Sequence, residues 1–301
     1  MPITDAQLRE RRNWIGGSDA AKIMGLSKWG TPLSVWASKV MPEEDQETSE
    51  AAEWGNKLES LIISEFTERT GEAVHTTDTV VHPEYPFIRA NLDGLVGEDA
   101  ILEAKTTNQY KSGEWKDDSI PADYIIQCQY YLGVTGRKLA HLCVLIGGQK
   151  FVHKTVERDE VLIGSIISNC VSFWNKFVLT KQMPMAGEDD ADLLERMYPD
   201  HVTGAFVELS GTDAAQLLEK IKRFSEREKN SKSVVDDAKA KLKQLIEDNE
   251  TATINGQVVA TWKTQTSERI DTKRIKEEAP EVFRKYSKET KSRTLRIKEG
   301  E

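Results

Sequence analysis

The stretch ANLDGLVGEDAILEAKTTN, residues 90–108, constrains this chain more than any other. Two apolar runs flank a short bend that contains glycine, the pattern of a hairpin. Side chains alternate along a strand, so in AILEAKTT Glu103 and Lys105 share one face while Leu102 and Ala104 share the other. Asp93 precedes the bend, at the mouth of the same sheet edge. Two carboxylates and a lysine laid out in this way suit metal-assisted phosphodiester hydrolysis. Carboxylate oxygens hold a hard cation such as Mg2+. The cation activates water and neutralises charge in an in-line displacement. A lysine beside it can orient the water or stabilise developing negative charge. A polar strand face after an Asp-Gly turn also occurs in proteins with no such chemistry, so the pattern needs support from elsewhere.

The surrounding sequence predicts a sheet with helices around it. In AAEWGNKLESLIISEFTERTG, residues Trp54, Leu58, Leu61, Ile62 and Phe66 recur at helical spacing and Gly71 ends the run. Strand-like runs follow in EAVHTTDTVVH, FIRANLDGLV and AILEAKTT, then a buried helix in ADYIIQCQYYLGVTG. KLAHLCVLIGGQKFVHKTVER reads as a hairpin turning at Gly147-Gly148, and EVLIGSIISNCVSFWNKFVLTKQ as a helix ended before Pro184. Upstream, a helix is expected over residues 5–14, another after the Ser18/Asp19 capping pair up to Gly25, and a third starting near Pro32. The acidic residues 41–50 read as loop. The sum is a mixed α/β core with a central sheet, over residues 1–185.

The Pro, Gly and acid-rich residues 186–208 read as a linker, and residues 209–301 as a second, helical module with a hairpin. Residues 212–247 keep an approximate heptad register, interrupted by Glu228 and Ser231, either as one long helix or as a helical hairpin broken near Asn230 and Ser231. ATINGQVVATWKT is a hairpin with an Asn-Gly turn. A capped helix over 271–290 and a final basic strand over 292–298 are expected. Basic residues such as Lys263, Arg274, Arg284 and Lys298, with Trp262 to stack, suggest a DNA or partner contact for this module.

Composition narrows the class. The 301 residues are 38% hydrophobic and 30% charged, enough for a folded core. The net charge of −9 argues against a general nucleic-acid coat but leaves room for a local basic groove around metal-binding carboxylates. Cys128, Cys143 and Cys170 are odd in number and form no CxxC pair, so buried or idle thiols are expected rather than disulfides or a zinc site. No apolar run looks long enough to cross a bilayer and no secretory signal is visible, which points to a cytoplasmic protein with no membrane partner.

Three further features bear on the acids. Glu59, on the amphipathic helix, can supply a third carboxylate, or be an ordinary surface acid. Gln127 and Gln129 sit among apolar neighbours in IIQCQYYL, and a buried amide needs partners. Glycines before a helix start, in RRNWIGGSDA, expose backbone N–H groups, so Arg11, Arg12 and Ser18 can hold a phosphate there; a simple Ser N-cap is the alternative.

Taken in order, RR…IGGSDAAKIMGLSKWGTPLSVW, WGNKLESLIISEF, ANLDGLV, ILEAKTT and IIQCQYYLGVTG resemble the YqaJ-type viral recombinase family. This is the lambda-exonuclease branch of the PD-(D/E)xK nuclease superfamily. The resemblance covers about residues 11–181. It implies a restriction-endonuclease-like core with a central mixed sheet flanked by helices. It also implies a Mg2+-dependent exonuclease, with Mn2+ able to substitute, that degrades the 5′ strand of double-stranded DNA ends and leaves a 3′ overhang. Carried over by motif, Asp93, Glu103 and Glu59 would bind metal, Lys105 would be the catalytic lysine and Gln127 would lie beside the catalytic centre. Arg11 and Ser18, with Arg12 in reserve, would hold the 5′ phosphate. The resemblance further implies a phage or prophage protein acting in the bacterial host cytoplasm, a ring-shaped trimer and a single-strand annealing partner. The chain departs from the superfamily pattern at Leu92, where proline is frequent, and in its tail beyond Gly187. Two other readings share these residues: an endonuclease or single-strand nuclease on the same fold, and a non-catalytic scaffold that binds DNA ends.

Overall fold

In the computed structural model, residues 10–42, 49–209 and 212–297 are described. Half of the helix expected at 5–14 and most of the acidic loop at 41–50 fall outside them; within them, Arg11–Asn13 form a single 3-10 turn rather than a longer helix. Three helices follow: α1 (Gly17–Ile23), α2 (Pro32–Val40) and α3 (Glu50–Thr70). Thr31 caps α2 by accepting from Ser34 N at 3.1 Å, with Pro32 in the first turn, where its missing N–H costs nothing. Gly71 ends α3 in the left-handed conformation, φ 75°.

Next come β1 (Val74–His75), β2 (Val80–Val81), β3 (Arg89–Ala90), β4 (Gly94–Val96) and β5 (Ala100–Thr107). Helix α4 (Ala122–Thr135) crosses over to β6 (Leu139–Ile146), which pairs parallel to β5 and then turns into β7 (Lys150–Glu157). The main sheet has the order β1-β4-β5-β6-β7 and is mixed: only β5–β6 is parallel. The architecture is an α/β fold with a mixed central sheet between helices.

Side-chain alternation divides β5. Leu102 faces Ile62 and Phe66 of α3, in a cluster with Val96, Ala100 and Cys143. Glu103 turns to the other side, where α4 lies. Gly94 is required where β1 meets β4, because a Cβ there would stand 2.2 Å from Val74 Cγ1. Helix α5 (Glu160–Phe173) follows, extended by a π-turn over Trp174–Val178. Contrary to expectation, the 19-residue run Glu160–Val178 is long and apolar enough to cross a membrane by length and composition. Its residues Ile163, Ile166, Cys170 and Phe173 are buried in the protein core, as befits an internal helix. All three cysteines are free and buried.

The chain divides into two units, Met1–Arg196 and Met197–Glu301. The division lies inside residues 186–208, expected as linker. The early part of that stretch belongs to the first unit: Asp190 is buried and accepts from Thr31 Oγ1 at 2.5 Å, and α6 (Ala191–Met197) follows. In the second unit, α7 (Thr212–Ile246) is one continuous helix of 35 residues rather than a broken hairpin. The Asn-Gly hairpin is β8 (Thr251–Ile254) and β9 (Gln257–Thr261). Pro280 divides the expected last helix into α8 (Thr272–Glu278) and α9 (Pro280–Tyr286), because a proline supplies no N–H to the turn before it. The expected basic strand is not formed over 292–297; Lys298 lies outside the described residues.

Candidate active site

Antiparallel pairing sets Gly94 against Leu102, which brings Asp93 to the level of Glu103. Asp93 Oδ2 accepts from Ala104 N at 2.8 Å, so the aspartate is fixed between Glu103 and Lys105 along β5. Glu103 is 2% exposed. Its Oε1 accepts from Lys105 Nζ and, at 2.6 Å, from Gln127 Nε2. Its Oε2 is buried and has no partner. A buried acceptor without a donor is costly, and such an atom calls for an explanation.

Electrostatics point the same way. Burial and the charge of Glu103 push the Asp93 carboxyl well above the usual range, more than Lys105 and the Ala104 N–H bring it down. Burial likewise raises Glu103 against the pull of Lys105. Burial alone would lower Lys105, but Glu103 and Asp93 outweigh it and hold the ammonium protonated. Glu59, on α3, adds negative charge to both Asp93 and Glu103. Among the described residues no three His, Cys, Asp or Glu side chains stand together closely enough to hold a metal ion as a group. The residues nevertheless fit a hard divalent cation: a free carboxylate oxygen on Glu103, a second carboxylate opposite it and a third charge nearby are the donor type such an ion takes.

Helix α4 separates its two glutamines by role. Gln127 faces β5 and holds Glu103; it also donates to Tyr131 Oη at 3.1 Å. Gln129, two residues on, faces the other way. It donates to Glu157 O at 2.6 Å and accepts from Asp159 N at 3.0 Å, tying α4 to the end of β7. Both amides are buried and both are satisfied, but only one touches the carboxylates.

The N-terminal turn reaches the same helix. Arg11 Nη2 donates to Ser18 Oγ at 3.1 Å, so two of the three residues expected to hold a phosphate meet directly. Arg12 is half-buried in the same turn. Ser18 is not the N-cap. Gly16 holds that position, and its N–H donates to Asp19 Oδ2 at 3.1 Å. This leaves the Ser18 hydroxyl free for Arg11. Gly17 packs against Tyr131: a Cβ there would stand 2.5 Å from the ring. Tyr130 secures the segment, donating to the Ile15 carbonyl and accepting from Arg89 N at 3.1 Å. A chain of contacts thus runs from the Arg11–Ser18 turn through Tyr131 and Gln127 to Glu103.

Sequence reasoning treated Asp19 as a cap and did not single out Lys39 or Tyr131. Lys39 Nζ donates to Asp19 Oδ2 at 2.9 Å and to Arg11 O at 2.8 Å, with both side chains at most 10% exposed. Burial works to raise the Asp19 pKa, but Lys39 and then Arg11 outweigh it and bring it below the usual value. The signal available in sequence was weak: a lone lysine in the last turn of a short apolar helix. At the end of β5, Thr107, Tyr124, Trp29 and Lys111 line a cleft, with Lys111 Nζ 4.3 Å from the Trp29 ring. Lys105 Nζ lies 5.8 Å from the Tyr124 ring.

The family model for the YqaJ-like viral recombinase domain matches residues 7–138. The Bacillus subtilis (strain 168) protein YqaJ is 40% identical over 306 residues, covering 98% of this chain and 94% of its own. Among solved structures, the alkaline exonuclease LHK-Exo from Laribacter hongkongensis has 22% identity and a TM-score of 0.51, over 64% of this chain and 97% of its own. Its complex with dAMP superposes with 21% identity and a TM-score of 0.52 over the same shares. At that identity the likeness establishes a shared fold.

Proposed function

The chain belongs to the YqaJ-like viral recombinase family, and on that premise we propose that it is a Mg2+-dependent exonuclease acting 5′→3′ on double-stranded DNA ends. The observation that carries this reading is the state of Glu103: buried, held at one oxygen by Lys105 and Gln127, and open at the other, with Asp93 fixed beside it. Asp93 and Glu103, with Glu59 near, would hold the cation; Mn2+ has the same ligand preference. When bound, the cation supplies Lewis acidity at the scissile phosphate and favours ionisation of the attacking water. The residues of the chain do the rest. Lys105, protonated, stabilises negative charge as it develops on the phosphate. Gln127 keeps Glu103 in one orientation. Arg11 and Ser18, with Arg12 in the same turn, hold a terminal 5′ phosphate by charge-assisted hydrogen bonds. The product is a 3′ single-stranded overhang, which a single-strand annealing protein would take up. A ring-shaped trimer is the assembly that fits end-dependent digestion.

The test uses three substrates: linear duplex with a 5′ phosphate, the same duplex with a 5′ hydroxyl, and a relaxed closed circle, each with Mg2+, Mn2+ or EDTA. The expected result is metal-dependent loss of the phosphorylated linear DNA with the circle intact. Cutting of the circle would identify an endonuclease on the same fold. Binding of ends with no cleavage under any metal would identify a scaffold.

A further inference from the structure

Helix α7 is exposed at every position from 215 to 245, although it carries an apolar stripe along its whole length. In its first half Leu217, Ile221 and Phe224 are 50%, 40% and 45% exposed; in its second half Val235, Leu242 and Leu245 are 48%, 40% and 81% exposed. The spacing alternates four and three without a skip through these residues, with Glu228, Ser231 and Ala238 at the positions between. An unbroken seven-residue phase over four heptads is the pattern of a helix that pairs with another. A 35-residue helix with such a stripe left in water lacks the packing that normally stabilises it.

We propose that α7 pairs with α7 of a second copy of this chain as an antiparallel two-stranded coiled coil, with Glu228 of each copy packed against Ser231 of the other. The polar positions select both orientation and register. A parallel pair in register would place Glu228 against Glu228 in one layer, a like-charge contact at the centre of the seam. An antiparallel pair slipped by one heptad would set Glu228 against Phe224 or Ala238, leaving a carboxylate in an apolar layer without a donor. The remaining register gives each Glu228 a hydroxyl donor. It also runs Leu217 against Leu242, Ile221 against Ala238 and Phe224 against Val235. The same register overlaps the helices end to end, because its centre falls at the middle of Thr212–Ile246. Polar pairing and full overlap are separate criteria, and they choose one arrangement. Because α7 runs unbroken through Asn230, these layers form only between chains. The flanks carry Lys220, Arg227 and Lys241 on one edge and Lys232 and Lys239 on the other, so salt should strengthen the pairing by screening them.

Cysteine cross-linking in the full-length protein tests this. The native cysteines are buried, and Leu217 and Leu242 are exposed, so Leu217→Cys and Leu242→Cys leave the fold intact. In the proposed register residue 217 faces 242 of the other copy, while two copies of 217 lie roughly 37 Å apart along the axis. Under mild oxidation, an equimolar mixture of the two single variants should form a covalent dimer containing one of each. Neither variant alone should cross-link, and Ile221→Lys added to both should abolish the cross-link. Efficient cross-linking of either variant by itself would mean parallel helices and overturn the proposal. No cross-link in the mixture, at low or high salt, would overturn it too, since the helix would then be unpaired or hold a different partner. The readout does not depend on how the first units assemble or on nuclease activity.

Discussion

Gln127 Nε2 lies 2.6 Å from Glu103 Oε1, although 24 residues separate them and neither side chain reaches solvent. That one hydrogen bond joins the crossover helix to the strand carrying Glu103 and Lys105, and leaves the other Glu103 oxygen open. Gln127→Leu should therefore keep the fold, because leucine is close to glutamine in volume and favours a helix, while loosening Glu103. Groups that orient a metal-binding carboxylate are worth about 10–100-fold in affinity or rate. Titration calorimetry with Mn2+ and a cleavage assay would show this; unchanged values in both would remove Gln127 from the site.

Lys105→Ala should lower the cleavage rate by about 10²–10³-fold while DNA binding, read by gel shift with Ca2+, stays near the original. The ammonium donates to Glu103 and its side chain is only 24% exposed, which is why loss of chemistry rather than of docking is expected. Loss of DNA binding in step with cleavage would instead make it a docking residue.

Arg11→Ala should slow digestion of 5′-phosphorylated ends by about tenfold or more, equivalent to a charged hydrogen bond of 1.5–3 kcal/mol, and leave 5′-hydroxyl ends little changed. Arg11 already donates to Ser18, so the two present donors together. Equal slowing on both ends would show that the turn does not read the phosphate.

Asp19 and Lys39 form a buried ion pair, so removing one partner should be costly. Lys39→Met is expected to destabilise the protein by about 3–5 kcal/mol. The pair also has a pH signature. The Asp19 pKa is lowered in the folded state from the usual 3.8. Its contribution is therefore complete above that value, and is lost as pH falls from there through the folded pKa. In chemical denaturation, Asp19→Asn should be less stable than the original at pH 7, and the gap should narrow below about pH 4. A gap that stays constant down to pH 2 would contradict the lowered pKa.

Gly17→Ala tests the link between the N-terminal turn and α4. Its Cβ would meet the buried Tyr131 ring at 2.5 Å, so overpacking of about 1–3 kcal/mol is expected, with Tyr131 displaced from Gln127. Unchanged thermal stability and an unchanged cleavage rate together would show that the contact yields freely.

The sequence by itself determined the elements and their faces. The alternation in AILEAKTT puts Glu103 and Lys105 on one side of β5, and the Asn-Gly turn makes β8–β9. The Trp54–Phe66 spacing makes the helix α3, but of that apolar set only Ile62 and Phe66 are buried, while Trp54 and Leu61 are exposed. Each of these depends on residues a few positions apart, where backbone geometry alone sets direction. The tertiary structure decided which faces meet. Gln127 and Gln129 look alike in sequence, and only the packing of α4 against β5 and β7 sends one to Glu103 and the other to Glu157. Gly16 took the cap expected of Ser18, because the Asp19 side chain satisfied its N–H and released the serine to Arg11. The Asp19–Lys39 pair spans two helices, and Asp93 reaches Glu103 only through the β4–β5 register. Periodicity carries no information about such contacts, since they depend on how elements far apart in the chain close around a shared core.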